Sequence, residues 1–330
     1  MRQATATADA SWRASLSRDE IADLLEMHDL RSWGSIALDW AIIFGAMALV
    51  AYVPHVLTIL LALFLIGARQ LGLAVMMHET SHRSLLRSRA LNDRVGSWLC
   101  AYPIWSDPEP YRGYHLQHHA RTGSDEDPDL RLTLPFPITR SSFARKVWRD
   151  LSGQTGVKFA RGAWRRTFGR SLEDPAARRP AIGVLVTNGV LLAILAAFGR
   201  PELYLLWIGA WLTTNTLVTR LRSIAEHAMT RDRHDPLLNT RTTRARGWER
   251  LFLAPNRVNY HLEHHLLMTV PHYNLPRMHG LLRERGVLDD ACVADGYWLT
   301  IRSAISRPEG STGPNDGDDQ AEGLAQINGL

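Results

Sequence analysis

The sequence predicts an all-α integral membrane protein with four transmembrane helices in two hairpins, on three observations. Four apolar stretches each come close to the ~20 residues that a helix needs to cross ~30 Å of hydrocarbon. They fall into two pairs, and only two residues separate the members of each pair. The arginines gather in the long segments between and after the pairs, outside the apolar runs.

Taken in order, residues 1–34 contain no apolar signal-peptide core, so the N-terminus is expected to stay in the cytoplasm. Ser17-Arg18-Asp19-Glu20 reads as a capping box, opening a short helix with Ile21, Leu24 and Leu25 on one face. That helix suits either a membrane surface or a packed soluble position. The first hairpin comprises spans 36–53 and 56–77, linked by Pro54-His55. The second comprises 181–198 and 201–219, linked by Gly199-Arg200. Tight turns therefore lie on the far side, and the arginine-rich segments 83–180 and 220–330, with both termini, are assigned to the cytoplasm. Arg69 and Gln70 interrupt the second span and must either face the bundle interior or snorkel to the headgroups.

The same organisation divides the chain into an N-terminal segment 1–34, a membrane domain 35–285 and a C-terminal segment 286–330, disordered from about Pro308. Residues 95–105 are too short to span and read as an interfacial piece. Segment 140–170 interleaves arginines with Phe143, Trp148, Phe159, Trp164 and Phe168, a pattern suited to anionic lipid or to an acidic protein partner.

Bulk composition agrees once its averaging is allowed for. Mean hydropathy is only −0.16, because apolar residues are clumped rather than frequent. The 11 tryptophans suit a lipid boundary. The net charge of +5 is nearly all arginine, lysine occurring only as Lys146 and Lys158, and it flanks the apolar runs. Membrane orientation accounts for that charge, and no nucleic-acid partner is expected. Cys100 and Cys292 are too few for a disulfide framework or a cysteine zinc site.

The chemistry lies in the histidines. Of 14, eight fall in three short boxes: His78 and His82 in HETSH, His115, His118 and His119 in HLQHH, and His261, His264 and His265 in HLEHH. Positions i, i+3 and i+4 of a helix share a face, so each box offers two or three imidazoles to one region of space. HETSH alone also spells H-E-x-x-H, the zinc-protease signature with a glutamate base. An intramembrane zinc hydrolase would need a third ligand, and spans 181–198 and 201–219 contain no acidic residue except Glu202 at the edge. That reading also leaves the other boxes without a role. Eight convergent imidazoles exceed the four or so ligands one zinc takes, and call for two metal ions.

H-x-x-x-H after a transmembrane run, then two H-x-x-H-H boxes, resembles the membrane fatty acid desaturase/hydroxylase superfamily of diiron oxygenases. Thr122 and Asp127-Pro128-Asp129 after the second box, Asn259-Tyr260 before the third and Pro271-His272-Tyr273-Asn274-Leu275-Pro276 after it resemble the family too. The resemblance covers about residues 35–285 and implies a cytoplasmic helical cap that holds a diiron site. It implies that all eight box histidines are iron ligands, with His227 a ninth at the mouth of the fourth span. Ser223 stands where acyl-CoA desaturases have an asparagine, and the first box has three intervening residues where many of them have four. Both departures point away from that branch. No catalytic residue beyond the ligands is singled out. Glu79, Asp127, Glu226 and Glu263 are candidates to accept ring N–H hydrogen bonds. His28, His55, His234, His272 and His279 remain unassigned.

The implied activity is O₂-dependent attack on an unactivated C–H bond of a lipid-like substrate. A fatty acyl desaturase comes first, with hydroxylation of a lipid, carotenoid or small amphiphile as the alternative. The chain has no haem motif and no cysteine cluster. Electrons are therefore expected from a separate ferredoxin-, rubredoxin- or cytochrome-type donor.

Overall fold

The computed structural model describes residues 12–169 and 173–311. Residues 312–330, most of the tail expected to be disordered, lie outside the described residues. The capping box forms: Ser17 Oγ accepts from Glu20 N at 3.1 Å and Glu20 Oε2 from Ser17 N at 2.8 Å. It opens α1 (Arg18–Leu25), whose Leu24 is buried against Leu275, Met278 and Leu282. Of the two positions open to this helix, the structure shows the packed one.

The first hairpin is α2 (Asp29–Tyr52) and α3 (Val56–His82). His55 caps α3 by accepting from Leu57 N at 3.2 Å. At 1.5 Å per residue the 27 residues of α3 reach ~40 Å, more than a bilayer core. Its last turns therefore outreach the apolar span, and His78 and His82 sit on them. The helix stops at Arg83, which is left-handed at φ 60°.

Arg69 and Gln70 both face the interior. Arg69 is 3% exposed; its Nη1 lies 3.2 Å from Asp39 Oδ1 of α2, and its Nη2 donates to the carbonyls of Arg250 and Leu251. Asp39 also accepts from Asn256 Nδ2 at 2.7 Å, so one buried carboxylate ties both helices to a segment near residue 250. Gln70 Nε2 donates to Trp207 O at 2.9 Å.

Beyond α3 come α4 (Arg89–Val95), a π-helical turn Gly96–Ala101 and a 3₁₀ turn Tyr102–Ile104. Gly96 lies so close to Thr80 that any larger residue would collide with it, which seats this segment on the histidine-bearing end of α3. Helices α5 (Pro108–Arg121) and α6 (Leu130–Thr133) follow. The basic segment forms α7 (Arg140–Leu151) and α8 (Gln154–Phe168), with Trp148 and Trp164 exposed. Asp150 of α7 bonds Arg220 through both oxygens, at 2.6 and 2.9 Å.

The third span, α9 (Pro175–Ala197), starts two turns earlier than its apolar run. The fourth corrects the sequence-based expectation. Residues 201–219 form no continuous helix: a 3₁₀ turn Pro201–Leu203 leads into α10 (Tyr204–Leu212), which breaks at Thr213 (φ −122°, ψ −83°) before α11 (Thr214–His227). Nine residues of α10 cover only ~14 Å. Polar side chains that compete for the backbone explain the break. Thr213 Oγ1 donates to Gly209 O, Thr214 Oγ1 to Leu63 O and Asn215 Nδ2 to Gly67 O of α3. Among the described residues three helices, α2, α3 and α9, are long and apolar enough to cross a membrane.

The chain ends with α12 (Gly247–Phe252), α13 (His261–Leu266), α14 (Leu275–Glu284) and α15 (Tyr297–Ala304). Two residue pairs, β1 (Thr242–Thr243) and β2 (Val293–Ala294), form a small parallel ladder. The all-α expectation otherwise describes the molecule. Both cysteines are free and buried.

Candidate metal centre

Four helices bring nine histidines into two groups. His78 and His82 come from the end of α3, His115, His118 and His119 from α5, His227 from the last position of α11, and His261, His264 and His265 from α13. The first group is His78, His82, His115, His119 and His264; the second is His118, His227, His261 and His265. Within each group one ring nitrogen per residue lies within 4.8 Å of all the others.

Helical spacing explains the division. On α5, His115 and His119 are separated by about 40° around the helix axis, whereas His118 diverges by about 100° from His119 and turns toward the second group. The third box mirrors this, with His261 and His265 in the second group and His264 in the first. The groups touch where the rings of His119 and His265 stack at 4.2 Å.

The donor set fits metal ions. Nε2 of His119 lies 3.0 Å from Nε2 of both His115 and His264, and His227 and His261 approach at 2.7 Å through the same atoms. Ligands ~2.1 Å from a common ion stand about 3.0 Å apart at right angles and about 3.4 Å apart in a tetrahedron. The observed spacings match the former. Both ring nitrogens of His82, and Nε2 of His265, are buried without a hydrogen-bond partner. Such atoms cost ~1–3 kcal/mol each unless something binds them.

Electrostatics keeps most of these rings neutral. Burial pushes His115, His119, His227, His261, His264 and His265 well below the usual histidine range, and neighbouring histidines push the same way. A neutral ring offers the lone pair that a metal needs. His118 moves upward instead: burial depresses it, but the charge of Asp129 and the hydrogen bond that His118 donates to Asp127 outweigh burial.

Of the four candidate supporting carboxylates, Asp127 makes the closest contact, its Oδ1 lying 2.8 Å from His118 Nδ1. It is itself held by Gly123 N at 2.8 Å and Asp129 N at 2.9 Å. Glu79 Oε1 lies 3.5 Å from His78 Nδ1, and its Oε2 accepts from His272 N at 2.9 Å. Glu226 Oε1 is 3.8 Å from His261 Nδ1 and is bonded more closely by Arg222, at 2.6 Å. Glu263 differs from expectation. Its oxygens are taken by His279 Nδ1 at 2.6 Å and by the Thr242 hydroxyl, so it braces α13 against α14 and β1 rather than steadying one of the nine rings.

Sequence reasoning missed Asp129, whose Oδ2 lies 3.6 Å from His118 Nδ1 and whose Oδ1 accepts from the Tyr114 hydroxyl. The signal was its place two residues beyond Asp127. It also left open His272 and His279, which contact Glu79 and Glu263 and join neither histidine group.

A helical fold with apolar spans and nine histidines converging at the end of one span defines a membrane-associated metalloprotein of the histidine-box class. Comparison with known proteins gives the family: the profile described as fatty acid desaturase matches residues 54–294, and the chain belongs to that family. It is 29% identical over 229 residues to dihydrorhizobitoxine desaturase of Bradyrhizobium elkanii, covering 65% of each chain. It is 26% identical over 281 residues to the sn-1 oleoyl-lipid 12-desaturase of Picosynechococcus, covering 78% of each. A shorter likeness, 36% over 79 residues, links it to the β-carotene 4-ketolase of Protosiphon botryoides, covering 23% of this chain and 20% of that one. The family uses iron, and its members here are oxidoreductases.

Proposed function

We propose that the protein is an O₂-dependent diiron desaturase of a lipid-like substrate, with an acyl chain on a lipid or carrier protein as the first choice. The observation that carries this reading is the division of nine histidines into groups of five and four, each suited to one ion. His78, His82, His115, His119 and His264 would hold one iron, and His118, His227, His261 and His265 the other. When bound, the reduced pair supplies O₂ activation strong enough to break an unactivated C–H bond.

The chain's own residues order that chemistry. Asp127 fixes the ring of His118 through Nδ1, leaving Nε2 for the metal. Glu79, shared by His78, His272 and Ser84, holds the end of α3 against the segment after α13. The overall reaction balances as two C–H bonds and O₂, with two electrons and two protons, giving a C=C bond and two waters. Hydroxylation would give one alcohol and one water for the same electrons. The likeness to a carotene ketolase supports keeping that second reading.

The electrons come from a separate ferredoxin-, rubredoxin- or cytochrome-type protein. A ferredoxin-dependent omega-3 desaturase of Synechocystis, 29% identical over 130 residues, supports such a donor. The helix pair α10–α11, broken at Thr213, provides the fourth crossing. The arginine-rich segments then share the cytoplasmic face with the metal site and both termini. A zinc hydrolase has no use for nine imidazoles. Product analysis by mass spectrometry, in a host of defined lipid profile supplied with a donor, tests the reading. A loss of two mass units supports desaturation, a gain of sixteen supports hydroxylation, and hydrolysed lipid or peptide refutes both.

A further inference from the structure

The end of α12 packs against α3 at a level that belongs to the bilayer. Thirteen residues separate Arg69 from the start of α3 at Val56, and thirteen separate Asp39 from the end of α2 at Tyr52. At 1.5 Å per residue the Arg69–Asp39 pair stands about 20 Å from the turn that joins the two helices. That non-helical turn cannot lie in hydrocarbon, so this distance is the greatest height the pair can have above the far boundary. A core of ~30 Å then places the pair about 10 Å below the cytoplasmic boundary, and tilt of the hairpin only deepens it.

Residues 250–256 are tied to that level. Arg69 Nη2 donates to Arg250 O at 3.2 Å and to Leu251 O, while Asn256 Nδ2 donates to Asp39 Oδ2 at 2.7 Å and to Gly72 O at 3.0 Å. Gly72 lies three residues nearer the cytoplasm than Arg69, so the segment sits about 5–10 Å below the boundary. Carbonyls in the last turn of a helix need partners from outside it, which water supplies at a wet surface. For Arg250 and Leu251 a buried guanidinium of the span supplies them, as a water-poor setting requires.

The outer face of α12 has no cover among the described residues. Trp248 and Leu251, at i and i+3, share that face and are 53% and 37% exposed. Glu249 Oε1 accepts from Tyr297 N at 2.9 Å, which brings the start of α15 alongside, with Trp298 and Leu299 also exposed. Exposed arginines flank the four, Arg246 and Arg250 on the α12 side and Arg302 on α15. Apolar side chains edged by guanidinium groups match the zone between acyl chains and phosphates, where tryptophan concentrates and long basic side chains reach the headgroups.

We propose that α12 and the start of α15 form a lipid-binding surface sunk into the cytoplasmic leaflet, with Trp248, Leu251, Trp298 and Leu299 entering the acyl region of the phospholipids. The inference rests on the reading of α2 and α3 as a spanning hairpin whose turn lies on the far side. It takes part of segment 220–330 out of the aqueous phase and gives the chain a membrane attachment besides its spans. His261 follows Asn256 by five residues, so this attachment also fixes the third histidine box relative to the lipid.

The test uses the iron-loaded full chain in bilayers of phosphatidylcholine and phosphatidylglycerol, with nitroxide labels on Trp248→Cys, Leu251→Cys and Trp298→Cys. Power saturation against oxygen and a nickel chelate gives the depth of each label. Val190→Cys, exposed midway along α9, and Asp232→Cys, exposed on the connection after α11, are the lipid and water references. Cys100 and Cys292 are buried, and labelled wild type measures their background. The three labels are expected about 5–10 Å deep, rich in oxygen collisions and poor in nickel collisions, as at Val190. A nickel-rich signal at any of them, as at Asp232, overturns the proposal. Shielding from both reagents, the sign of a covering protein such as a second copy, overturns it too. Should Trp248→Cys fail to fold, Leu251→Cys and Trp298→Cys decide by the same criterion. A nickel-rich signal at Val190 refutes the spanning reading itself; Val190 in lipid with Leu251 in water refutes only this surface.

Discussion

Replacing Asp39 with alanine removes the one carboxylate that pairs with Arg69 inside the helix bundle. Both side chains are almost fully buried, and the pair closes at 3.2 Å. Arg69 would keep its bonds to the carbonyls of Arg250 and Leu251, while Asn256 would lose one of its two acceptors and keep the Gly72 carbonyl. Breaking a buried pair from one side typically costs about 3–5 kcal/mol, because a charge is left uncompensated. At roughly 2–4 °C per kcal/mol for chains of this size, the midpoint of thermal unfolding in detergent should fall by on the order of 10 °C. The double variant Asp39→Ala/Arg69→Met removes the stranded charge as well, and should recover most of that loss. The assay is thermal unfolding of purified wild type, both single variants and the double variant. A shift within about 2 °C for Asp39→Ala, or a double variant as unstable as the sum of the singles, would refute the assignment of this pair as a coupled internal tie.

Three further outcomes follow from the site. His118→Ala and His264→Ala, one from each group, should abolish turnover while the protein still fractionates with membranes; turnover retained in either would show that the ligand set is wrong. Asp127→Asn weakens the hydrogen bond that orients His118 and should lower metal affinity about 10–100-fold, measured by competition with a chelator, whereas unchanged affinity would place Asp127 outside the supporting network. Gly183→Val would drive a side chain into the ring of Tyr102 and should destabilise the packing of α9; a variant with wild-type thermal stability would contradict that close approach.

What was legible beforehand was local and periodic. The i, i+3, i+4 spacing of HLQHH and HLEHH is visible in the letters because it depends only on helix geometry. The long apolar runs of α2, α3 and α9 are visible for the same kind of reason. His227 could be named because the family resemblance implies an extra histidine at the mouth of the fourth span, and α11 ends on that residue. The break at Thr213 was hidden: Thr214 and Asn215 act on Leu63 and Gly67, about 150 residues earlier, and no local pattern announces such a pairing. Asp39 escaped notice for the same reason, since its partners are Arg69 and Asn256. Glu263 shows the converse error. Adjacency in sequence to His264 suggested that it steadied a ring, but on a helix neighbouring residues point about 100° apart, and Glu263 faces His279.

Metal analysis of the purified chain tests the central claim most directly. Iron approaching two atoms per polypeptide, falling when either histidine group is disrupted, is the result predicted by imidazoles gathered as five and four. A single zinc per polypeptide, retained with full activity after loss of His118, would contradict it.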